Sequence, residues 1–153
     1  MKIIKHCKQG LPEFVTGQLL GLARGNTVEV TNCFPLPHNQ GDDEGADSSD
    51  GNYQLEMMKS LREVNADSNA VGWYQSCYLG SILNELVIEA QYNYQNTIKK
   101  SFVLTYDPLQ SATQGTLALK ALRLTDGFME LYKTQSFTQK RYQSSDNFII
   151  IFN

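Results

Sequence analysis

The chain has 153 residues, with 13 Lys and Arg against 16 Asp and Glu for a formal net charge of -3. That length predicts one domain able to bury a core, and 41% hydrophobic with 19% charged residues excludes disorder throughout. The mean hydropathy is -0.36 and no run of about eighteen apolar residues occurs, so no membrane-spanning helix is expected. The acidic balance also weighs against a free-standing nucleic-acid binder, which would carry a basic face.

Taken in chain order, Met1-Lys2-Ile3-Ile4-Lys5 has no apolar block behind it of the kind a signal peptide needs. Lys2 to Gln9 has helical composition and stops at Gly10-Leu11-Pro12. Phe14 to Ala23 reads as a buried strand in which Gly17 and Gly21 allow close backbone approach. Arg24-Gly25-Asn26 is a turn, and the alternating Thr27 to Phe34 is its hairpin partner, ended by Pro35 and Pro37.

Asn39 to Asn52 holds five carboxylates among glycines and serines and reads as an acidic loop. Asp47-Ser48-Ser49-Asp50-Gly51 hints at a calcium loop, but alternate oxygen ligands and a closing Glu are missing.

Tyr53 to Asn65 reads as a helix. Tyr53, Met57, Leu61 and Val64 fall on one stripe of about 80°, with Leu55 and Met58 on its flank beside Arg62. That flank is either a widened core stripe or a second apolar strip facing another protein, a use to which Met is suited because it repacks readily.

Ala70 to Ser76 reads as a buried strand. Ser81 to Gln95 reads as a helix with Ile82, Leu83, Leu86, Val87, Ala90 and Tyr94 inward, and Ile88 and Tyr92 opposite. Ser101 to Tyr106, Gly115 to Thr125 and Phe148 to Phe152 complete the expected strands, with Leu117, Leu119 and Ala121 on one face of the second. The fold class is α/β or α+β, a sheet with packed helices.

Cys7, Cys33 and Cys77 are odd in number and widely spaced, so small buried thiols in a reducing compartment are expected rather than disulfides. Of the two histidines, His6 falls in the first helix and His38 in a loop, and neither is expected to be catalytic.

The segment Gly72-Trp73-Tyr74-Gln75-Ser76-Cys77-Tyr78-Leu79-Gly80-Ser81 resembles the central motif of the MPN (JAB1/MPN/Mov34) domain. In the family's metalloprotease branch, Gly-Trp-Tyr is followed by His-x-His, then seven residues, Ser, two residues and Asp, with a Glu on an earlier strand. Two imidazoles and a carboxylate hold zinc there, and the Glu takes a proton from the water that attacks an isopeptide carbonyl.

Carried onto this chain, the histidine positions hold Gln75 and Cys77, the serine position holds Glu85 and the aspartate position holds Ile88. Glu13 is a possible remnant of the general base, one residue out of register. Gln binds zinc poorly and a single thiolate is not a zinc site, so neither metal, cofactor nor catalysis is expected. Ile88 and Tyr92 are expected to fill the vacated cavity.

Glu29 to Pro35, Tyr53 to Arg62, Val71 to Ser76, Tyr106-Asp107-Pro108 and Gly115 to Ala121 all look like the branch of H subunits of eukaryotic translation initiation factor 3. The resemblance covers Met1 to Lys133, read as a 1–133 MPN domain with a mixed, mostly antiparallel curved sheet and packed helices. Residues 134–153 are left as a C-terminal extension ending in a short strand. The resemblance implies a non-catalytic cytoplasmic scaffold in that complex, acting in translation initiation on the small ribosomal subunit. Its implied partners are a second MPN subunit, the F subunit, and the other subunits of the complex.

Leu55, Met58 and Arg62 are the candidate interface, where burial of either apolar side chain contributes about 1.5–3 kcal/mol. The alternatives are a silent MPN subunit of the proteasome lid or the COP9 signalosome, or a deubiquitinating isopeptidase. Direct RNA contact through Lys2, Lys5, Lys8, Lys99, Lys100, Lys120 and Arg123 is not favoured, because these cations are scattered in sequence.

Overall fold

The computed structural model describes residues 1–37, 46–63, 69–78, 84–133 and 148–150. Helix α1 (Lys2–Gln9) leads into strand β1 (Thr16–Arg24), which returns as β2 (Thr27–Pro35) through a turn at Gly25, whose φ of 56° favours a residue without a Cβ. Helix α2 (Ala46–Glu63), strand β3 (Ala70–Ser76), helix α3 (Glu85–Thr97) and strand β4 (Phe102–Tyr106) follow. Helix α4 (Pro108–Gln114), strand β5 (Leu119–Leu124), helix α5 (Asp126–Lys133) and strand β6 (Phe148–Ile150) complete the order.

The strands form one six-stranded sheet in the order β2-β1-β3-β4-β5-β6. Only β3 and β4 run parallel, with Gly72 opposite Phe102 and Ser76 opposite Tyr106, while the other four pairings are antiparallel. A Cβ on Gly72 would collide with the Phe102 carbonyl, so glycine is required where these two strands approach. The mixed, mostly antiparallel sheet with packed helices agrees with the expected class.

Apolar residues divide between the two sheet faces. Ile3 and Cys7 of α1 pack with Leu19, Val71, Tyr74, Phe102 and Tyr106 on one side. On the other, Val87 and Ile88 of α3 and Phe128 of α5 pack with Trp73, Val103, Leu122 and Leu124. Strand alternation supplies both layers, since Val103 faces one cluster and Phe102 and Leu104 the other. Among the described residues, no helix is long and apolar enough to cross a membrane.

Three expectations need correction. The acidic segment does not stay a loop to Asn52, because α2 already begins at Ala46. Gly115 does not open a strand. It ends α4 with a φ of 67°, leaving Leu117 exposed and β5 to start at Leu119.

The core-facing side of α3 is also rotated from the expected one. Leu86 is 74% exposed and Ile88 is 1% exposed. The inward arc is Val87, Ile88, Gln91 and Gln95, within about 100° of one another. A stripe drawn from apolar residues alone leaves out the two buried glutamines and is displaced. His38, Val64, Ile82, Leu83, Ile151 and Phe152 lie outside the described residues, as does most of the 134–153 extension.

Candidate functional site

Strand β3 carries the motif that would hold the metal in the active branch. Its end is tied down by backbone and hydroxyl bonds. Ser76 is fully buried, its Oγ accepts from the Val15 amide at 2.9 Å, and its own amide donates to the Val15 carbonyl at 2.9 Å. The Cys77 amide donates to the Tyr106 carbonyl at 2.9 Å. Tyr78 donates its hydroxyl to the Glu13 carbonyl at 2.7 Å, and its ring packs on Phe14 with centroids 4.8 Å apart. The serine retained between the two lost histidines therefore clamps the chain entering β1.

The remaining positions are equally structural. Gln75 sits opposite Thr16 on β1 and Thr105 on β4, half-buried within the ladder. Cys77 is buried and free. Burial pushes its thiol up to about 11, with the Asp107 carboxylate adding to the shift and Lys120 opposing it. The metal-binding thiolate is thus disfavoured near neutrality.

Ile88 lies in the cluster around Trp73, with Tyr92 packed against the same cluster and its ring 4.2 Å from that of Tyr132. Glu85 is exposed in the first turn of α3, directly after the capping Asn84 whose side chain accepts from the Val87 amide at 2.8 Å. A carboxylate there complements the helix dipole. Glu13 is exposed in the turn before β1, where its amide donates to the Gly10 carbonyl at 2.8 Å.

The zinc implied by the active branch does not fit these residues. An amide, a protonated thiol and a buried hydrocarbon stand where two imidazoles and a carboxylate are needed. Among the described residues, no group of three His, Cys, Asp or Glu could hold a metal ion. His6 instead shares a 2.9 Å hydrogen bond between Nδ1 and the Tyr74 hydroxyl, and burial lowers its pKa.

Asp107 is buried as the cap of α4, accepting from the Gln110 amide at 2.8 Å. Burial raises the other two thiols as well, Cys7 to about 12, so Cys7 and Cys77 behave as small buried neutral groups, while Cys33 is only half-buried.

The largest departure from the sequence reading is a set of buried glutamines over the Trp73 face. Gln18 of β1 donates through Nε2 to the Gly72 carbonyl at 2.6 Å. Its Oε1 accepts from Gln54 of α2 at 2.6 Å and from the Tyr94 hydroxyl of α3 at 2.8 Å. Gln91 accepts from Trp73 Nε1 at 2.9 Å and donates to Gln95 Oε1 at 2.8 Å and to the Ser101 carbonyl at 3.2 Å. Gln95 in turn accepts from the Leu124 amide at 2.7 Å. The signal available in sequence is the i, i+4 spacing of Gln91 and Gln95 beside an otherwise apolar arc.

Helix α2 presents Tyr53, Gln54, Met57, Met58 and Leu61 half-buried, while Arg62 is exposed and Leu55 is 67% exposed. The structure therefore separates Leu55 from Met58, which sits at the margin of the packed side.

The chain matches the family model for the JAB1/Mov34/MPN/PAD-1 ubiquitin protease over residues 1–100. It is 56% identical over 147 residues to the H subunit of eukaryotic translation initiation factor 3 from Dictyostelium discoideum, covering 95% of this chain and 46% of that protein. The corresponding Arabidopsis thaliana protein is 53% identical over 146 residues, covering 95% of this chain and 43% of the relative. The Nematostella vectensis protein of the same name is 52% identical over 141 residues, covering 90% and 42%. The chain thus spans less than half the length of these curated relatives.

Proposed function

We propose, since this chain belongs to the JAB1/Mov34/MPN/PAD-1 family, that it is a non-catalytic MPN scaffold of translation initiation factor 3. It works in the cytoplasm by protein docking on the small ribosomal subunit. Identity above one half to the H subunits of two distant organisms supports the assignment to that complex rather than to another assembly of MPN proteins. The observation that carries the non-catalytic reading is the use made of the ligand positions. Gln75 and Cys77 build the end of β3, and Ile88 fills the core beneath α3. Isopeptide hydrolysis needs an activated water, and these side chains supply no means of activating one.

The partner is a second MPN subunit, the F subunit of the same complex, and the docking side is α2. Leu55 is the exposed anchor, Met58 supplies adaptable area at the margin, and Arg62 stands at the rim. The MPN unit occupies 1–133, with 134–153 as an extension. Mass spectrometry of proteins co-purifying with the intact chain tests the assembly, the expected set being initiation factor 3 subunits and ribosomal proteins. Recovery of proteasome-lid or signalosome subunits instead refutes it. Leu55→Asp and Met58→Asp variants that remain folded are expected to lose the F subunit in a pull-down, and undiminished capture removes this side of α2 from the interface.

A further inference from the structure

The cations that lie far apart in sequence meet at one end of the sheet. Strands β1 and β5 run toward that end, and β3 and β4 start from it. Arg24 closes β1 there, Lys99 and Lys100 precede β4, and Arg123 lies near the end of β5. The Lys100 ammonium donates to the Gly25 carbonyl, next to Arg24, and the Arg123 guanidinium donates to the Lys99 carbonyl at 2.7 Å. With neighbouring strands about 4.8 Å apart, the strands from β1 to β5 that carry these residues span about 15 Å.

Among the described residues, none of the four forms an ion pair with a carboxylate. The nearby Asp126 lies in the first turn of α5, where the helix dipole favours it. Among the described residues, this end of the sheet therefore gathers four cations on a chain of net charge -3.

We infer that this sheet end, formed by Arg24, Lys99, Lys100 and Arg123, is a contact surface for the phosphate backbone of RNA. The choice of RNA over another polyanion rests on the translation reading above, and the local chemistry agrees. Protein interfaces are built around buried apolar or aromatic anchors. Of the large hydrophobic side chains that stand exposed, none falls within residues 22–28, 98–102 or 121–125. Cations without an apolar anchor position phosphates and carry no base readout, so the contact is independent of sequence. The surface lies at the opposite end of the sheet from Gln75 and Cys77, so it is separate from the degenerate pocket.

The test is fluorescence anisotropy of a labelled oligouridylate with the full chain between about 50 and 200 mM salt. Four phosphate contacts give a log–log salt slope of about -2.8 on a single strand. Arg24→Glu with Lys99→Glu alters two exposed side chains that make no hydrogen bond among the described residues. The double variant, unfolding at the parent temperature, is expected to bind about tenfold more weakly with the slope reduced by about 1.4. No binding by the parent chain at the lowest salt, or equal affinity and slope in the variant, overturns the inference.

Co-purification separates it from the reading it rests on. Unchanged RNA binding with initiation factor 3 subunits still recovered overturns the surface alone. Lost RNA binding with no such subunits recovered supports the surface and overturns the assembly.

Discussion

Replacing Gln91 by Met tests whether the buried glutamines hold α3 to the sheet. Gln91 is fully buried and makes three hydrogen bonds, to Trp73 Nε1, Gln95 Oε1 and the Ser101 carbonyl. Met matches the side chain in length and offers none of them. The Trp73 indole N–H and the Ser101 carbonyl each lose a partner in a place water does not reach, while Gln95 Oε1 keeps the Leu124 amide. A buried polar group left unpaired costs about 1–3 kcal/mol, so Gln91→Met is expected to destabilise the fold by about 2–4 kcal/mol. For a chain of this size that lowers the unfolding midpoint by about 5–15 °C.

Thermal and urea unfolding measure the loss. A double-mutant cycle with Trp73→Phe, which removes the indole donor, isolates the pair. The coupling between the two sites is expected at about 1–2 kcal/mol, because once the donor is gone the missing acceptor no longer matters. A Gln91→Met protein within about 0.5 kcal/mol of its parent, or a cycle with no coupling, refutes the argument that these amides carry the helix.

Two further outcomes follow from the degenerate site. Ile88→Asp restores one acidic ligand position but puts a carboxylate in an apolar cluster at a residue 1% exposed. It should cost about 3 kcal/mol or more and still leave zinc well below stoichiometric by metal analysis, since no imidazole accompanies it. The thiols give a pH signature. Burial raises Cys77 to about 11 and Cys7 to about 12 from an ordinary 9.0, so the unfolded chain loses these protons first. Stability is therefore fully present below pH 9.0 and falls as pH rises from there toward about 11–12. Urea midpoints across that window, compared with a Cys7→Ala/Cys77→Ala variant, check it: the variant should show the flatter decline.

Much of the architecture is legible in the sequence because local signals and burial agree. The span of β3 reads residue for residue, since Ala70 to Tyr74 is a short, mostly apolar run that ends in Gln75-Ser76. The hairpin is marked by Arg24-Gly25-Asn26. What escapes the sequence has specific causes. α4 follows a buried Asp107 cap with Pro108 in the first turn, a helix start that looks in sequence like no more than a strand stop. α5 begins after Thr125, whose hydroxyl accepts from the Phe128 amide at 3.2 Å, and its eight residues are too few for periodicity to stand out.

The inward turn of α3 cannot be read from hydropathy, because two of its four buried side chains are amides. At the site, loss of ligands is plain from residue type alone. What replaces them needs coordinates, since only the distances reveal Ser76 as a clamp on Val15 and Glu85 as a carboxylate at a helix start.

The Gln18 side chain has a consequence for how surfaces on this domain are oriented. One amide on β1 receives α2 through Gln54 and α3 through Tyr94 while anchoring itself to β3. Rotating α2 by a single residue would swing Gln54 by about 100° and break that junction. The direction in which Leu55 points outward is therefore keyed from within, by a polar lock under the helix. An outward side chain on this helix thereby inherits the angular tolerance of the hydrogen bonds beneath it.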